Sequence, residues 1–404
     1  MKILQINNVY NFGSTGKITH DIHQGLLENG VDSVVYYGRR NKTQDFNVYK
    51  ICGEVYAKAN NAFSRVTGIM YGGCFFSTNR LFSFIKKEKP DIVHLQCLNG
   101  YFVNIYRLIE FLKKLEIPTV LTLHAEFMYT ANCGHSLECE KWKIGCSNCT
   151  KYKKITKSIF FDRTGTSWKK MQRAFEGFSN LAVVSVSPWL LNRAKQSPFF
   201  LDKEHFVILN GIDTNIFRPY DRTSIKKKLN INKKKVIFHV TPDFSGNKYH
   251  IKGGYYVIEV AKSLLKEDVC IVVAGKYDKS ISYPSNMYML GNVDNQIELA
   301  KLYSMADVTL LTSQRETFSM VCAESLCCGT PVVGFKAGAP ELISLPEYSA
   351  FCEYGNINEL ISNIKMLWSI EKIQDLVEEA NLMYDKNEMI EKYMSLYKNK
   401  CLNM

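Results

Sequence analysis

No window of this 404-residue chain offers the roughly 20 apolar residues that a bilayer-spanning helix needs. The nearest approach, residues 318–335, is interrupted by Glu324, Gly329 and Pro331. The apolar stretch of a signal peptide is also missing behind Met1. Cysteine is too sparse for a secreted disulfide scaffold, and an odd count of 13 cannot all pair within one chain. With 10 prolines and 22% charged residues, the composition excludes collagen-like, low-complexity and disordered classes. No internal repeat of about 20 to 50 residues is visible. The lysines are accompanied by no helix-turn-helix, zinc-finger or RNA-recognition signature, which argues against nucleic acid as a partner. A soluble protein of a reducing cytoplasm is the expectation.

What the sequence does have is length and apolar mass. At roughly 150 residues per domain the chain should form two or three domains, and its 46% hydrophobic residues suffice for large cores. The net charge of +12 is unevenly spread. Residues 1–200 carry 27 basic and 14 acidic side chains, or +13, whereas residues 201–404 carry 24 and 25, or −1.

Residues 2–9 read as a strand and residues 10–17 as a small glycine-bearing loop, while Ile18, Ile22, Leu26 and Leu27 fall on one helical face that ends at Gly30. Short apolar runs recur at 31–38, 91–95, 118–123 and 181–186, then at 236–240, 269–274, 287–290, 308–311 and 331–335. Helices are expected at 254–265, 296–305 and 320–328. Such alternation predicts an α/β chain of two doubly wound parallel sheets, each covered on both faces. The expected domains are residues 1–202 and 203–386, with the junction near 198–206 and the lysine-dense 221–235 as a surface helix and turn. Ile390, Tyr393, Met394, Tyr397 and Cys401 recur at helical spacing, so a helix over about 387–404 should lay an apolar stripe on something.

The segment that carries most chemistry leaves the strand 308–311, crosses a polar loop to an N-cap at Ser319, and runs as a helix until Gly329 and Pro331 stop it. A helix N-terminus beyond a parallel strand presents free amides and positive potential, which suit a phosphate or diphosphate. Glu316 precedes that helix, and Glu324 lies roughly 7–8 Å into it at a 1.5 Å rise. The two carboxylates can therefore reach different hydroxyls of an elongated ligand whose phosphates fill the gap. A surface acid plus a helix-dipole acid is the alternative that this pair alone leaves open.

Upstream stands Asn210-Gly211-Ile212-Asp213 with Phe217 and Pro219, and downstream Gly338-Ala339-Pro340-Glu341 forms another loop after a strand. With the loop at Gly13 to Gly16 and the Glu-x7-Glu element followed by Gly-x-Pro-Val, the chain resembles, over nearly its whole length, the retaining glycosyltransferases of family 4. That resemblance implies the GT-B fold, two Rossmann-like domains facing across a cleft. It implies that Glu324 binds the ribose hydroxyls of a nucleoside diphosphate sugar, that Glu316 holds hydroxyls of the transferred sugar, and that the amides around Phe318 and Ser319 face sugar and diphosphate. Lys252, in Lys252-Gly253-Gly254, matches the family's diphosphate lysine. A cation is needed there because the departing nucleoside diphosphate accumulates negative charge, so no metal is required for catalysis. Many relatives carry Gly-Arg directly after the preceding strand; here the residues are Thr241-Pro242, and Lys248 is the nearest candidate for a second cation. Gly16 is expected to let backbone approach the diphosphate. His124, at the end of the strand 119–123, stands where the family places a histidine near the reacting sugar, with Ala125 in place of the usual Asp. No covalent nucleophile is evident. The resemblance implies a front-face mechanism in which the leaving phosphate helps deprotonate the acceptor, and Glu126 is the alternative base.

Beyond His124, Cys133, Cys139, Cys146 and Cys149 fall within a span of 17 residues and would suit a structural zinc; reduced cysteines or a disulfide are the other readings. Residues 141–173 then hold ten basic side chains against one acid, Asp162, interleaved with Tyr152, Ile155, Phe160, Phe161 and Trp168. Lysines among aromatics fit an anionic membrane surface. The stripe of Ile105, Leu108, Ile109, Leu112 and Leu115 is a second such candidate, with core as its plainer reading. In the family the N-terminal domain receives the acceptor, so the basic half suits a lipid-linked glycan at the inner face of the plasma membrane. The expected activity is transfer of a sugar to a glycan hydroxyl in surface polysaccharide synthesis (lipopolysaccharide or capsule). A GT-B epimerase or hydrolase and a non-catalytic glycan-binding partner are the rivals; a binding relic has no need of both Glu316 and Lys252.

Overall fold

The computed structural model describes residues 1–370 and 374–402. Residues 403 and 404 of the expected C-terminal helix thus lie outside the described residues. The chain forms two compact units, Met1–Leu209 with Met389–Met404, and Asn210–Glu388.

The first unit is built on a parallel sheet in the order β3-β2-β1-β4-β5-β6-β7. Its strands are β1 (Lys2–Asn7), β2 (Asp32–Tyr37), β3 (Val48–Lys50), β4 (Ile92–Leu95), β5 (Thr119–Leu123), β6 (Leu181–Ser185) and β7 (Glu204–Val207). The N-terminal helices are α1 (Gly13–Glu28), α2 (Glu54–Thr67) and α3 (Phe75–Glu88). Two edge strands, β3 and β7, escape the apolar-run reading because β3 is three residues long and β7 is largely exposed. Because β7 still pairs with β6, the chain leaves this unit after Leu209 rather than at 202.

The C-terminal helix Lys386–Leu402 closes this unit. Met389, Ile390, Tyr393, Leu396 and Tyr397 are buried against Ile3, Ile18, Ile22, Leu26, Ile92, Val120 and Val184. Gly25 makes room for it: a Cβ there would stand 2.6 Å from Ile390 Cδ1. The buried phenols find partners, Tyr397 with His94 Nδ1 at 2.7 Å and Tyr393 with Thr122 Oγ1 at 2.8 Å. Ile105, Leu108, Ile109 and Leu112 are fully buried, so that stripe is core except at its end, where Leu115 is exposed.

The second unit carries the parallel order β10-β9-β8-β11-β12-β13. The strands are β8 (Lys235–Phe244), β9 (Val269–Tyr277), β10 (Met287–Gly291), β11 (Val308–Leu311), β12 (Val332–Phe335) and β13 (Ser349–Cys352). The last, a half-buried edge strand, was not evident from apolar runs. Ile237, Ile271, Val273, Val308, Leu310 and Val333 pack with Val257 and Val260 of the helix Gly254–Ser263 to form its core.

Candidate functional site

In an open parallel sheet, ligands bind beyond the carboxyl ends of the strands where the chain's direction of travel across the sheet reverses. In the second unit that point lies between β8 and β11, because the chain runs outward from β8 through β9 and β10 before returning to β11. The loop after β8 carries Lys252 and the loop after β11 carries Glu316. Lys252 Nζ meets Glu316 Oε1 at 2.6 Å. The structure thus joins two groups that stand 64 residues apart in the chain.

The backbone around this pair is closely tied. Gln314 N donates to Ile251 O at 2.8 Å, Thr312 Oγ1 donates to Lys252 O at 3.1 Å, and Glu316 N donates to Ala337 O at 3.0 Å. Gly253 sits at φ +67°, and a Cβ there would stand 2.0 Å from the Thr312 carbonyl oxygen, so the close approach of the two loops demands glycine. Glu341 accepts from Ala337 N at 3.0 Å and Gly338 N at 2.8 Å, which fixes the loop after β12 against Glu316.

Ser319 caps the helix Met320–Cys327, its hydroxyl accepting from Cys322 N at 3.3 Å. It holds φ +88°, a left-handed conformation that a side-chain-bearing residue rarely adopts and that clusters at binding sites. Phe318 is buried with its ring 6.5 Å from Tyr384, so any contribution it makes to a ligand is limited to its backbone. Glu324 accepts from Tyr303 Oη at 3.0 Å. Tyr303 closes the helix Gln296–Met305 and is fully buried; burial and the adjacent Glu324 raise its phenol far above the usual range, so it stays a donor. Sequence reading missed Tyr303, since nothing in the spacing distinguishes it from a core aromatic. Lys248 is exposed, with its ammonium 5.8 Å over the Tyr255 ring, and does not join the Lys252–Glu316 pair. His239 on β8 is buried and donates from Nδ1 to Leu310 O at 2.9 Å; burial lowers its pKa to about 4, so it adds no charge beside Lys252.

In the first unit the reversal lies between β1 and β4. Gly16 falls in the first turns of α1, where a Cβ would meet Val9 Cγ2 at 3.1 Å and Asn11 N at 3.3 Å. The chain's own loop already crowds that position, so this glycine is needed for the turn from β1 into α1. His124 follows β5, and its Nε2–H donates to Gln96 Oε1 at 3.1 Å while Gln96 Nε2 donates to Gln5 Oε1 at 2.8 Å. Because the Gln96 amide nitrogen is committed to Gln5, its oxygen faces the ring and fixes the proton on Nε2. Desolvation lowers the His124 pKa to about 4, so the ring is neutral at pH 7. Glu126 is fully buried, lies 3.1 Å from Arg193 Nε and accepts from Ser136 N. Its carboxylate thus ties Arg193 to the loop at Ser136.

Glu126 and Arg193 also explain the cysteine-rich loop. Arg193 donates to Ser136 Oγ at 2.6 Å and lies 5.2 Å from the Trp142 ring, Trp142 Nε1 donates to Cys139 O at 2.8 Å, and Trp168 Nε1 donates to Trp142 O at 2.9 Å. Cys133, Cys139, Cys146 and Cys149 are all free thiols. They share one corner, and burial and the other three thiols raise the Cys133 pKa. Among the described residues, however, no three His, Cys, Asp or Glu side chains are gathered to hold a metal ion. The arginine and tryptophan contacts tie this loop to the rest of the unit.

Two family models match the chain: "Glycosyltransferase Family 4" over residues 15–216 and "Glycosyl transferases group 1" over residues 221–383. The putative colanic acid biosynthesis glycosyl transferase WcaC of Escherichia coli (strain K12) is 22% identical over 99% of this chain and 100% of its own. The N-acetyl-alpha-D-glucosaminyl L-malate synthase of Bacillus anthracis is 26% identical over 53% of this chain and 58% of its own length. Among solved structures, sucrose-phosphate synthase of Thermosynechococcus elongatus superposes with a TM-score of 0.68 at 13% identity, covering 100% of both chains. Anabaena HepE in complex with UDP gives a TM-score of 0.67 at 15% identity, covering 99% of this chain and 100% of its own. At these identities the superpositions establish the α/β two-domain GT-B fold.

Proposed function

The chain belongs to glycosyltransferase family 4, and from that premise we propose that it is a retaining transferase. In this reading it moves a sugar from a nucleoside diphosphate donor to a hydroxyl of a lipid-linked glycan during surface polysaccharide synthesis. The observation that carries the reading is the Lys252–Glu316 pair of 2.6 Å at the reversal point of the second sheet, beside a helix N-terminus capped by the strained Ser319. Breaking the bond between sugar and diphosphate leaves negative charge on the phosphates, and the Lys252 ammonium is the fixed counter-charge available there. Glu316 accepts hydroxyls of the sugar. Glu324, held on one oxygen by Tyr303, accepts ribose hydroxyls. In the first unit His124 is neutral, so its part in the reading is a hydrogen bond and not a charge.

The WcaC relative is named for colanic acid synthesis, which supports a polysaccharide acceptor. HepE has been solved with UDP and UDP-glucose, which makes UDP-sugars the first donors to try. No described helix is long and apolar enough to cross a membrane; in this reading the chain meets its lipid-borne acceptor by peripheral attachment at the inner membrane face. Incubating the protein with UDP-, GDP- and ADP-sugars and a membrane lipid extract tests the whole reading. A labelled lipid product with the anomeric configuration of the donor is expected. Absence of transfer together with no donor-induced shift in melting temperature defeats it.

A further inference from the structure

Surface helices of folded proteins normally turn their apolar side inward. Helix α2 does the opposite. Its buried residues are the small Ala57 and Ser64, while Val55, Ala59, Ala62, Phe63 and Val66 are exposed, Val55 at 82%. Those positions follow the i, i+4, i+7, i+8, i+11 spacing of one helical face. The inward contacts are polar: Ser64 Oγ donates to Ile69 O at 2.9 Å, and Asn60 Oδ1 accepts from Cys74 N at 2.6 Å.

Two neighbouring segments extend this outward apolar face. At the start of α3, Phe76 is 80% exposed, its ring lies 6.2 Å from Tyr56, and its N–H donates to the Tyr56 hydroxyl at 3.1 Å. On the other side, Ile159 N donates to Arg65 O at 2.8 Å, which fixes the exposed Ile159, Phe160 and Phe161 against the end of α2. Within these segments Lys58, Arg65, Lys157 and Arg163 are exposed. The acids within the same segments are engaged elsewhere. Glu54 pairs with Arg39 at 2.7 Å and Lys50 at 3.3 Å, and Asp162 accepts from Cys149 N at 2.6 Å and Thr164 N at 3.0 Å.

We propose that this face, formed by α2, the first residues of α3 and residues 157–163, docks on an anionic lipid bilayer. The apolar side chains enter the interfacial layer while the lysines and arginines meet lipid phosphates. A second copy of the chain is a poorer occupant, because an isologous contact would bring two identical basic faces together. The inference deepens the acceptor part of the reading above and rests on it for the purpose of docking. The binding itself is independent of donor chemistry.

Flotation of the full-length protein with vesicles of phosphatidylcholine, alone or with phosphatidylglycerol, is the test. The wild type should float with the mixed vesicles, stay behind with the neutral ones, and be released by high salt. The triple substitution V55S/F63S/F160S should lower partitioning at least about tenfold, and K58Q/K157Q/R163Q should lower it by about fivefold for each charge removed. L382S, at an exposed position of the other unit, should change nothing. Melting temperatures should be unaltered, since every replaced side chain is exposed. Equal binding to neutral vesicles, or undiminished binding by the V55S/F63S/F160S protein, overturns the proposal. So does concentration-dependent dimerisation that these substitutions abolish without any vesicle binding. Titration of the same preparations with UDP, GDP and ADP keeps the two readings apart: intact nucleotide binding with lost flotation supports docking, and flotation without binding of any of the three defeats the donor reading alone.

Discussion

The two units are organised in opposite ways. The second, near neutral in charge, concentrates its chemistry in one place, where an ion pair, a strained cap and a phenol-held carboxylate are fixed by backbone bonds between three loops. The first carries the whole surplus of positive charge and spreads its features out, with a neutral histidine over buried glutamines and an apolar face turned to solvent. A nucleotide sugar is small and rigid enough that a few fixed groups can meet all its polar atoms. A glycan on a lipid carrier offers a large, variable surface, for which distributed charge and exposed apolar area are the suitable instruments.

If that contrast is right, the largest single-residue effect on turnover belongs to the second unit. Glu316→Ala should reduce kcat by at least about a hundredfold while the protein stays folded, the scale of losing one group that acts on the transition state. Steady-state transfer assays with circular dichroism as a folding control read this directly. His124→Ala should cost less, because a neutral imidazole contributes a hydrogen bond and no charge. Equal losses from the two would break the asymmetry. Gly253→Ala comes next, and its effect is on stability. A methyl group 2.0 Å from the Thr312 carbonyl, on a residue at φ +67°, should destabilise the second unit by about 2 kcal/mol or more. Urea unfolding monitored at Trp368 in that unit should show the shift.

A smaller effect sharpens the picture of the donor side. Tyr303→Phe keeps the packed ring and removes only the hydrogen bond to Glu324. Loss of a bond to a charged group implies a rise in donor KM of roughly tenfold with kcat nearly unchanged. A fall in kcat with KM unchanged would show that Tyr303 acts on the reaction step and not on ribose binding.

The sequence disclosed the second unit far better than the first. Glu316, Ser319 and Glu324 were legible because a strand end, a cap and a helix stop fix their spacing within one segment. The partner of Glu316, Lys252, was legible only through family resemblance, since no local rule links residues 64 apart. Tyr303 was invisible because burial and hydrogen bonding belong to tertiary structure. In the first unit Phe160 and Phe161 of the basic segment are exposed, but Trp168, expected beside them, is buried under Trp142, and α2 was not singled out. Its period is that of any amphipathic helix, and only the structure reveals that the apolar side faces outward. The cysteines had a suggestive spacing, but their loop is ordered by Arg193, Trp142 and Trp168.

The difference between the units extends to their response to acid. Burial lowers the pKa of His23, His94, His124 and His205 in the first unit, with His94 at about 3 and His124 at about 4, whereas His239 at about 4 is the histidine so affected in the second. A histidine whose folded pKa lies below its unfolded value of about 6.5 binds fewer protons in the folded state. Its stabilising contribution is therefore complete above pH 6.5 and is lost as the pH falls toward 4. With four such residues against one, the first sheet should lose protection at a higher pH than the second. Hydrogen exchange followed by mass spectrometry can read this in peptides covering β4 and β5 beside those covering β8 and β9. His94 sits under the C-terminal helix through its bond to Tyr397, so His94→Asn, which removes one titrating group, should bring the two midpoints closer. Coincident loss of protection in the wild type would mean that the two units unfold as one, and the acid response would then carry no signature of their separate histidines.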